Sequence, residues 1–185
     1  LTYRFAWIPM YVALAYAIVR TMGWKRGMVF VLAIAVTTLL ADQVSSHVIR
    51  PWVQRLRPSN LDNPLSAVIH IVDGYRGYPY GMPSSHAANT VGLLTMLAFK
   101  FRNRILLSVV TVWMLMQVYS RMYLGVHYPT DILVGAMVGF VSATVVFCAY
   151  KRLTHEGRTV MKNEIAPGLV FVLTLLTIAV LAAFK

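Results

Sequence analysis

Residues 120–131 form a short polar stretch between two long apolar runs, and they combine side chains suited to phosphoryl transfer. His127 precedes Asp131 by four residues, and Arg121 lies six residues before the histidine. Pro129 fits the first position of a helix, because its φ is already helical and its missing N–H would have no partner there. A helix beginning there would hold Asp131 in its first turn and leave His127 just outside, at the positive end of the helix dipole. A nucleophilic imidazole, an orienting carboxylate and a fixed positive charge at such a helix end favour chemistry on a phosphate.

Each of these residues also has an ordinary explanation when it is taken alone. Asp131 would complement a helix dipole, His127 would be an interfacial residue with its hydrogen bonds made, and Arg121 would mark a membrane boundary. The chemical interpretation therefore depends on two further polar sets in the chain.

The first of these sets lies where a long apolar segment ends. Asp42, Ser46 and Arg50 are spaced by four residues, so a helix would present them on one face. An aspartate at membrane depth is costly, and Asp42 either supports a functional site or merely pairs with Arg50. Arg50 and Arg57 are seven residues apart with apolar residues between them, which predicts a short interfacial helix. Two arginines on one face would clamp phosphate oxygens better than lysines would.

The second set, Pro83-Ser84-Ser85-His86, predicts the start of another helix. A serine at the N-cap satisfies a free backbone N–H group, while other N–H groups at the same helix end point at an anion. His86 in the first turn would then be placed to protonate a leaving group. The preceding segment, 59–82, is rich in Gly, Pro and Tyr, and it either covers a site or anchors at lipid headgroups.

The composition is that of a polytopic membrane protein rather than a soluble domain. The 185 residues are 58% hydrophobic and only 12% charged, with a mean hydropathy of +0.66. The single cysteine, Cys148, excludes an internal disulfide framework, and no Cys/His spacing indicates structural zinc. The net charge of +11 fits anionic lipid or phosphate partners, and we expect no nucleic acid. Leu1 is neither an initiator Met nor the start of a signal peptide, so we expect a missing N-terminal segment.

We predict an all-α fold, a polytopic membrane bundle in a single domain over residues 1–185. Its core would span 42–150, with 168–184 as an extra C-terminal helix. Gly135 and Gly139 form a small-residue pattern that is typical of closely packed membrane helices. The six apolar runs predict transmembrane helices at Phe5–Val19, Met28–His47, His86–Phe99, Ile105–Tyr119, Pro129–Tyr150 and Gly168–Phe184.

The distribution of basic residues predicts the orientation of this bundle. Segments 20–27, 100–104 and 151–167 hold ten of the 17 Lys and Arg residues, so the positive-inside rule places them in the cytoplasm. The three polar sets then meet at the opposite face, which would be the periplasmic or exterior face of a bacterial inner membrane. The ten residues are Arg20, Lys25, Arg26, Lys100, Arg102, Arg104, Lys151, Arg152, Arg158 and Lys162.

Together these sets predict phosphoryl transfer through a covalent phosphohistidine. His127 would attack phosphorus while Asp131 orients its ring, and His86 would protonate the leaving oxygen and then activate water. Asp42 would support the site. Arginines can supply the charge that a metal supplies elsewhere, so we predict neither a metal nor another cofactor. The predicted phosphate-binding residues are Arg50, Arg57, Ser84, Ser85 and Arg121.

These sets resemble the three signature motifs of the type 2 phosphatidic-acid phosphatase family of membrane lipid phosphatases. The first motif, a basic residue, six others and Arg-Pro, matches Arg50–Pro58, with arginine where lysine is usual. The second, Pro-Ser-Gly-His, matches Pro83–His86, with serine in place of glycine. The third, Ser-Arg, five residues, His, three residues and Asp, matches Ser120–Asp131 without a departure. The resemblance covers residues 42–150 and implies the same roles for these side chains.

The sequence leaves the substrate open among undecaprenyl diphosphate, lipid A phosphates and phosphatidylglycerol phosphate. We favour a lipid carrier diphosphate or a lipid A phosphate, because neither requires a cytoplasmic site. No oligomeric state is indicated. The alternative from another class, a protein that only binds or translocates a lipid headgroup, does not explain the His–Asp pair and the second histidine. A vanadate-dependent haloperoxidase would be soluble, and the six acidic residues are poor ligands for the metal pair of a metallophosphatase.

Overall fold

The computed structural model describes residues 7–69, 71–161, 168–169 and 171–176. Within these residues the regular structure is helical, apart from isolated β-bridges, which confirms the predicted all-α class. Residues 168–169 and 171–176 are also helical. The six α-helices are α1 (Ile8–Met22), α2 (Trp24–Gln43), α3 (Arg50–Val53), α4 (Ser85–Lys100), α5 (Arg104–Tyr123) and α6 (Pro129–Thr154).

Three helical segments are long and apolar enough to cross a bilayer. They are Trp24–Val53, Arg104–Tyr123 and Pro129–Thr154. Helix α1 is a shorter apolar helix of 15 residues, and α4, with 16 residues, carries polar side chains in its first turns. Of the six predicted membrane helices, three thus have spanning candidates among the described residues, and the others stay predictions. The end of the predicted helix Gly168–Phe184 lies outside the described residues.

The chain stays helical beyond α2, through the polar set of Asp42, Ser46 and Arg50. A π-helical segment, Val44–Ile49, connects α2 to α3. A π-helix has more residues per turn than an α-helix, so it changes which side chains share a face, and such segments are frequent at functional sites. Arg50 still meets Ser46, since its Nη1 donates to the serine Oγ at 3.3 Å. Asp42 makes no ion pair with Arg50 among the described residues, so direct pairing of these two charges is not observed.

The predicted short helix between Arg50 and Arg57 forms only over its first residues, Arg50–Val53, and does not reach Arg57. Helix α3 ends at Val53, because Gln54 adopts a left-handed conformation with φ of 48°. Beyond this turn the chain is no longer helical, and the Arg57 N–H donates to the carbonyl of Pro79 at 2.9 Å. Arg57 therefore reaches its position on a non-helical segment that pairs with the following loop.

Helices α4 and α6 pack so closely that two glycines are required at their contact. A Cβ atom on Gly135 would lie 2.4 Å from the carbonyl oxygen of Ser84, and one on Gly139 would lie 2.1 Å from that of Ala88. In addition, the Ser84 N–H donates to the Asp131 carbonyl at 2.9 Å. The predicted role of the glycine pattern in close helix packing is confirmed, and the contact holds the starts of both helices side by side.

A buried ion-pair cluster joins α4 and α6 at their other ends. The Lys100 side chain is 1% exposed and donates to Glu156 Oε2 at 2.7 Å, and the Tyr150 hydroxyl donates to the same oxygen at 2.7 Å. Burial alone would raise the pKa of Glu156, but the hydrogen bonds from Lys100 and Tyr150 outweigh it and hold this pKa below its ordinary value. The cluster thus keeps a carboxylate charged beside a buried ammonium group.

We expect Gly139→Ala to destabilise the bundle by about 1–3 kcal/mol or more, the usual range for overpacking. The added methyl group would meet backbone atoms of α4 rather than the flexible end of a side chain. Thermal unfolding of the purified protein in detergent checks this, with Gly157→Ala as the control because a Cβ there meets nothing within 4 Å. Equal melting temperatures for the two variants would contradict the packing argument.

Candidate active site

His127 lies between α5 and α6 and is 5% exposed. Its Nε2 is 3.0 Å from Nη1 of Arg57, and its Nδ1 is 3.5 Å from Oδ2 of Asp131. A guanidinium group only donates hydrogen bonds, so the nitrogen that faces it must carry the lone pair. The proton of the neutral ring is then on Nδ1, towards the carboxylate. The arrangement therefore directs the lone pair of His127 towards an arginine.

The surroundings of His127 favour a neutral imidazole. Burial lowers its pKa below the ordinary value, and the charges of Arg57 and Arg50 lower it further. The Asp131 carboxylate beside Nδ1 opposes this, but the net shift of the pKa is downward. A neutral ring with a lone pair on Nε2 is what a nucleophilic histidine needs at neutral pH.

The Asp131 carboxylate is fully buried at the start of α6 and is held by donors on both oxygens. The Tyr128 N–H donates to Oδ2 at 2.8 Å, and Arg55 Nη1 donates to Oδ1 at 3.0 Å. Asp131 thus lies in the first helical turn, beside His127, as the sequence predicted. Its 3.5 Å separation from His127 Nδ1 is longer than an ordinary hydrogen bond, which is common for catalytic contacts before substrate binds.

Arg55 is a residue of the site that the sequence analysis did not single out. It lies two residues before Arg57, inside the first motif, but no spacing rule connects it with Asp131, which is far away in sequence. The signal that could have found it is the carboxylate itself. A fully buried carboxylate needs a cationic or hydrogen-bonding partner, and Arg55 was an unassigned basic residue close to the motif.

Arg57 and Arg121 are buried cations with donors that have no protein acceptor. They are 8% and 5% exposed, respectively. In the described part of the chain, Arg57 Nε and both Nε and Nη2 of Arg121 have no hydrogen-bond partner. Burial also lowers the pKa of Arg57 to about 10, so it still carries its charge at neutral pH. Unpaired buried donors on cations are costly, and phosphate oxygens are acceptors that would satisfy them.

Arg50, the first residue of α3, approaches the start of α4. Its Nη2 donates to Ser85 Oγ at 2.9 Å and to the Pro83 carbonyl at 3.1 Å. The structure thereby brings together the first two predicted motifs, with Ser85 directly beside an arginine. Arg50 Nε has no partner within the described residues, so this guanidinium keeps a donor for a ligand.

Ser84 and His86, on either side of Ser85, differ in their surroundings. Ser84 is buried and caps α4, where its Oγ accepts from the Ala87 N–H at 3.5 Å. Its own N–H is used by the carbonyl of Asp131, so Ser84 joins the two helices. His86 lies in the first turn of α4 with an exposed side chain, a setting in which it can exchange protons with water.

The described part of segment 59–82 packs against Arg57, which agrees with the first of its two predicted alternatives, a cover over the site. Asn63 Nδ2 donates to the Arg57 carbonyl at 3.0 Å and to the Tyr128 hydroxyl at 2.9 Å. A Cβ on Gly81 would lie 3.1 Å from both Arg57 Cγ and Asp131 Oδ2, and one on Gly77 would lie 3.5 Å from Arg57 Nε. Small residues in this loop therefore leave room for the site.

In the part of the chain that the structure describes, no three His, Cys, Asp or Glu side chains lie close enough together to hold a metal ion. Positive charge at the site comes instead from guanidinium groups. Arg50, Arg57 and Arg121 approach from the start of α3, the segment after α3 and the end of α5, respectively.

Comparison with known proteins decides the family. The family model of the PAP2 superfamily matches residues 26–155, which include every predicted site residue. The chain belongs to the PAP2 superfamily. This confirms the predicted family of membrane lipid phosphatases, and the enzyme class of this PAP2 chain is lipid phosphatase.

Two curated relatives are similar to this PAP2 chain over most of its length. The lipid A 4'-phosphatase of Bacteroides thetaiotaomicron is 40% identical over 153 residues, which cover 83% of this chain and 68% of the relative. The lipid A 4'-phosphatase of Porphyromonas gingivalis is 31% identical over 147 residues, which cover 80% and 62%, respectively. The chain thus spans about two thirds of the length of these relatives.

Among solved structures, the crystal structure of Aquifex aeolicus LpxE has the same fold. It aligns with a TM-score of 0.51 and 18% sequence identity, over 78% of this chain and 84% of LpxE. At this identity the likeness concerns the fold alone.

The lowered pKa of His127 predicts the acid side of the pH–activity profile. If the neutral ring attacks, kcat/KM should be lost only as the pH falls through a value below 6.5, the ordinary pKa of histidine. Initial rates at low substrate concentration across this range would measure it. The substrate phosphate also titrates near pH 6. Its pKa in the detergent micelles of the assay must therefore be measured by 31P NMR, so that its contribution to the pH profile can be separated from that of His127. An acid limb of His127 centred above 6.5 would contradict the prediction.

Proposed function

We propose that this chain hydrolyses a phosphate monoester on lipid A, or on a glycolipid of the same kind, through a phosphohistidine at His127. The observation that carries this proposal is the position of His127 Nε2, which lies 3.0 Å from Arg57 Nη1 in a site with two further arginines. The substrate class is suggested by the two relatives, both lipid A 4'-phosphatases. Among the three substrates that the motifs left open, a lipid carrier diphosphate becomes the second choice.

The proposed first step transfers the phosphoryl group to the enzyme. His127 Nε2 attacks phosphorus, so that an N–P bond forms while the bond to the lipid oxygen breaks. The leaving oxygen takes a proton from His86, and Asp131 stabilises the positive ring of His127 through Nδ1–H. Exposure of His86 supports this assignment, because the same group must later be reached by water.

The proposed second step regenerates the enzyme. His86, now neutral, removes a proton from water, the new oxygen–phosphorus bond forms and the N–P bond breaks. The products are the dephosphorylated lipid and inorganic phosphate, with both histidines back in their starting states. One molecule of water is consumed for each phosphate released.

In both steps, fixed positive charges stabilise the oxygens of the transferred group. The unpartnered donors of Arg50, Arg57 and Arg121 support this role, since they are already in place before substrate binds. Ser85 would contribute beside Arg50, whereas Ser84 would act through the backbone at the start of α4. Asp42 would support the site through its charge rather than by contact. In this scheme the reaction needs no metal ion and no other cofactor.

The proposed location is a bacterial inner membrane, with the site at its periplasmic face and residues 1–185 forming one integral-membrane domain. The distribution of basic segments supports this orientation. The site lies at the starts of α4 and α6, whereas the Lys100–Glu156 pair lies at their opposite ends. A bundle of six membrane helices remains the favoured arrangement.

Phosphate release in detergent with EDTA present tests the proposal, using lipid A, undecaprenyl diphosphate and phosphatidylglycerol phosphate as substrates. We expect the wild-type protein to act fastest on lipid A and His127→Ala to release no phosphate from any of them, since it lacks the nucleophile. Binding of lipid A without any release would favour the headgroup-binding alternative. A faster rate on undecaprenyl diphosphate than on lipid A would indicate a lipid carrier as the substrate. Equal rates for His127→Ala and the wild type would exclude His127 as the nucleophile.

Arg57→Ala should lower kcat/KM by about 10²-fold or more, the usual effect of removing one transition-state donor. Arg57 is expected to act on the phosphate itself, so both KM and kcat should change. Arg102→Ala is a matched control, because it removes an exposed arginine that lies two residues before α5, away from the site. Kinetics with the preferred lipid measure the effect, and identical values for both variants would exclude Arg57 from phosphate binding.

A further inference from the structure

Arg55 differs from the other arginines of the site because it contacts a carboxylate that the reaction uses. Its Nη1 donates to Asp131 Oδ1 at 3.0 Å and also contacts Thr130 Oγ1. Its guanidinium carbon lies 4.0 Å from the centre of the Tyr128 ring. The Arg55 side chain is 35% exposed, whereas that of Asp131 is fully buried. Arg55 therefore approaches the carboxylate from the surface and is fixed by three neighbouring residues of α6 and its N-cap.

The two oxygens of Asp131 have separate tasks in this arrangement. Oδ2 accepts from the Tyr128 N–H and faces Nδ1 of His127, while Oδ1 accepts from Arg55. Donors on both oxygens, from different parts of the chain, fix the plane of the carboxylate. Removal of Arg55 would leave that plane set by one backbone N–H alone.

The charge of Arg55 also matters, because Asp131 has two ionic partners within the described residues. One is Arg55, and the other is His127. With Arg55 present, the buried carboxylate is neutralised without a proton on the imidazole. Without it, the remaining partner of the carboxylate is His127, and an unbalanced buried negative charge favours the protonated ring.

We propose that Arg55 is a positioning residue that fixes the Asp131 carboxylate and, by neutralising it, keeps His127 a neutral nucleophile. The role rests on the proposed function, in which His127 attacks phosphorus. It assigns Arg55 no contact with the substrate.

An arginine suits this position better than a lysine. Its flat guanidinium group stacks on the Tyr128 ring and at the same time donates in its own plane to Asp131. A lysine would retain the charge but would lose the planar geometry. Charge and geometry can therefore be separated by two substitutions.

The first variant, Arg55→Gln, removes the charge and keeps a hydrogen-bond donor. We expect kcat to fall about tenfold or more, the usual effect of losing a group that orients a catalytic side chain, with little change in KM. The acid limb of kcat/KM should move to higher pH, because the pKa of His127 rises. The charged groups that face His127 are Arg57, Asp131 and Arg50, and this variant leaves all of them in place.

The second variant, Arg55→Lys, restores the charge. We expect its acid limb to stay at the wild-type position while kcat remains below the wild-type value, because the stacked geometry is lost. This variant keeps the test decisive if Arg55→Gln does not fold. Arg102→Gln, which removes an exposed arginine just before α5, is the control and should match the wild type in both kcat and pH profile.

A direct titration separates this proposal from the proposed function. NMR of histidine-labelled protein in detergent, with the His127 signal assigned from its loss in His127→Gln, gives the pKa of His127 without any substrate. The expected result is a higher pKa in Arg55→Gln than in the wild type and an unchanged one in Arg55→Lys. An unchanged pKa in Arg55→Gln, or a raised KM with an unaltered kcat, would overturn the positioning role. Absence of lipid phosphatase activity in the wild type would instead refute the proposed function, and the titration would still decide the effect of Arg55 on His127.

Discussion

The buried carboxylate of Asp131 is the constraint around which the site is built. A charge without contact to water is stable only where fixed donors replace its hydration. Here the donors come from the N-cap of α6 and from the segment after α3, while the carbonyl of the same residue accepts a hydrogen bond from the N-cap of α4. One residue thereby connects three stretches of chain that are far apart in sequence. The orientation of His127, which lies beside this carboxylate, depends on these contacts.

Around this carboxylate, the site keeps an excess of positive charge that the protein alone does not neutralise. Arg50, Arg57 and Arg121 face the same region, and each has at least one donor without a protein acceptor among the described residues. Such an arrangement opposes folding to some extent, because like charges are held together under partial burial. It also means that an anionic group would be bound with little rearrangement. Under the proposed function, the stability of the site and its affinity for phosphate would thus be linked.

Sequence reasoning anticipated the parts of the structure that local rules control. Pro129 and Ser84 marked helix starts, and the two glycines of α6 marked a close contact, because each of these signals acts within a few residues. The path of the chain to Arg57 was not predictable, since Gln54 takes a left-handed conformation for which glycine would have been the usual signal. The pairing of Arg55 with Asp131 also escaped, because it depends on how distant segments fold together. The residues of the site were therefore easier to identify than the way they are held.

The glycine contact between α4 and α6 limits which parts of the candidate site can change in evolution. The first turn of α4 carries Ser85 and His86, and the first turn of α6 carries Asp131, so the contact makes them one rigid frame. Backbone lies against backbone there, and even a methyl group has no room. The neighbouring loop, described over residues 59–69 and 71–82, lies outside the glycine contact and exposes large side chains such as Tyr75 and Tyr78. Under the proposed function, the loop could therefore adapt to a new headgroup, while the reacting groups would keep the same arrangement from one substrate to the next.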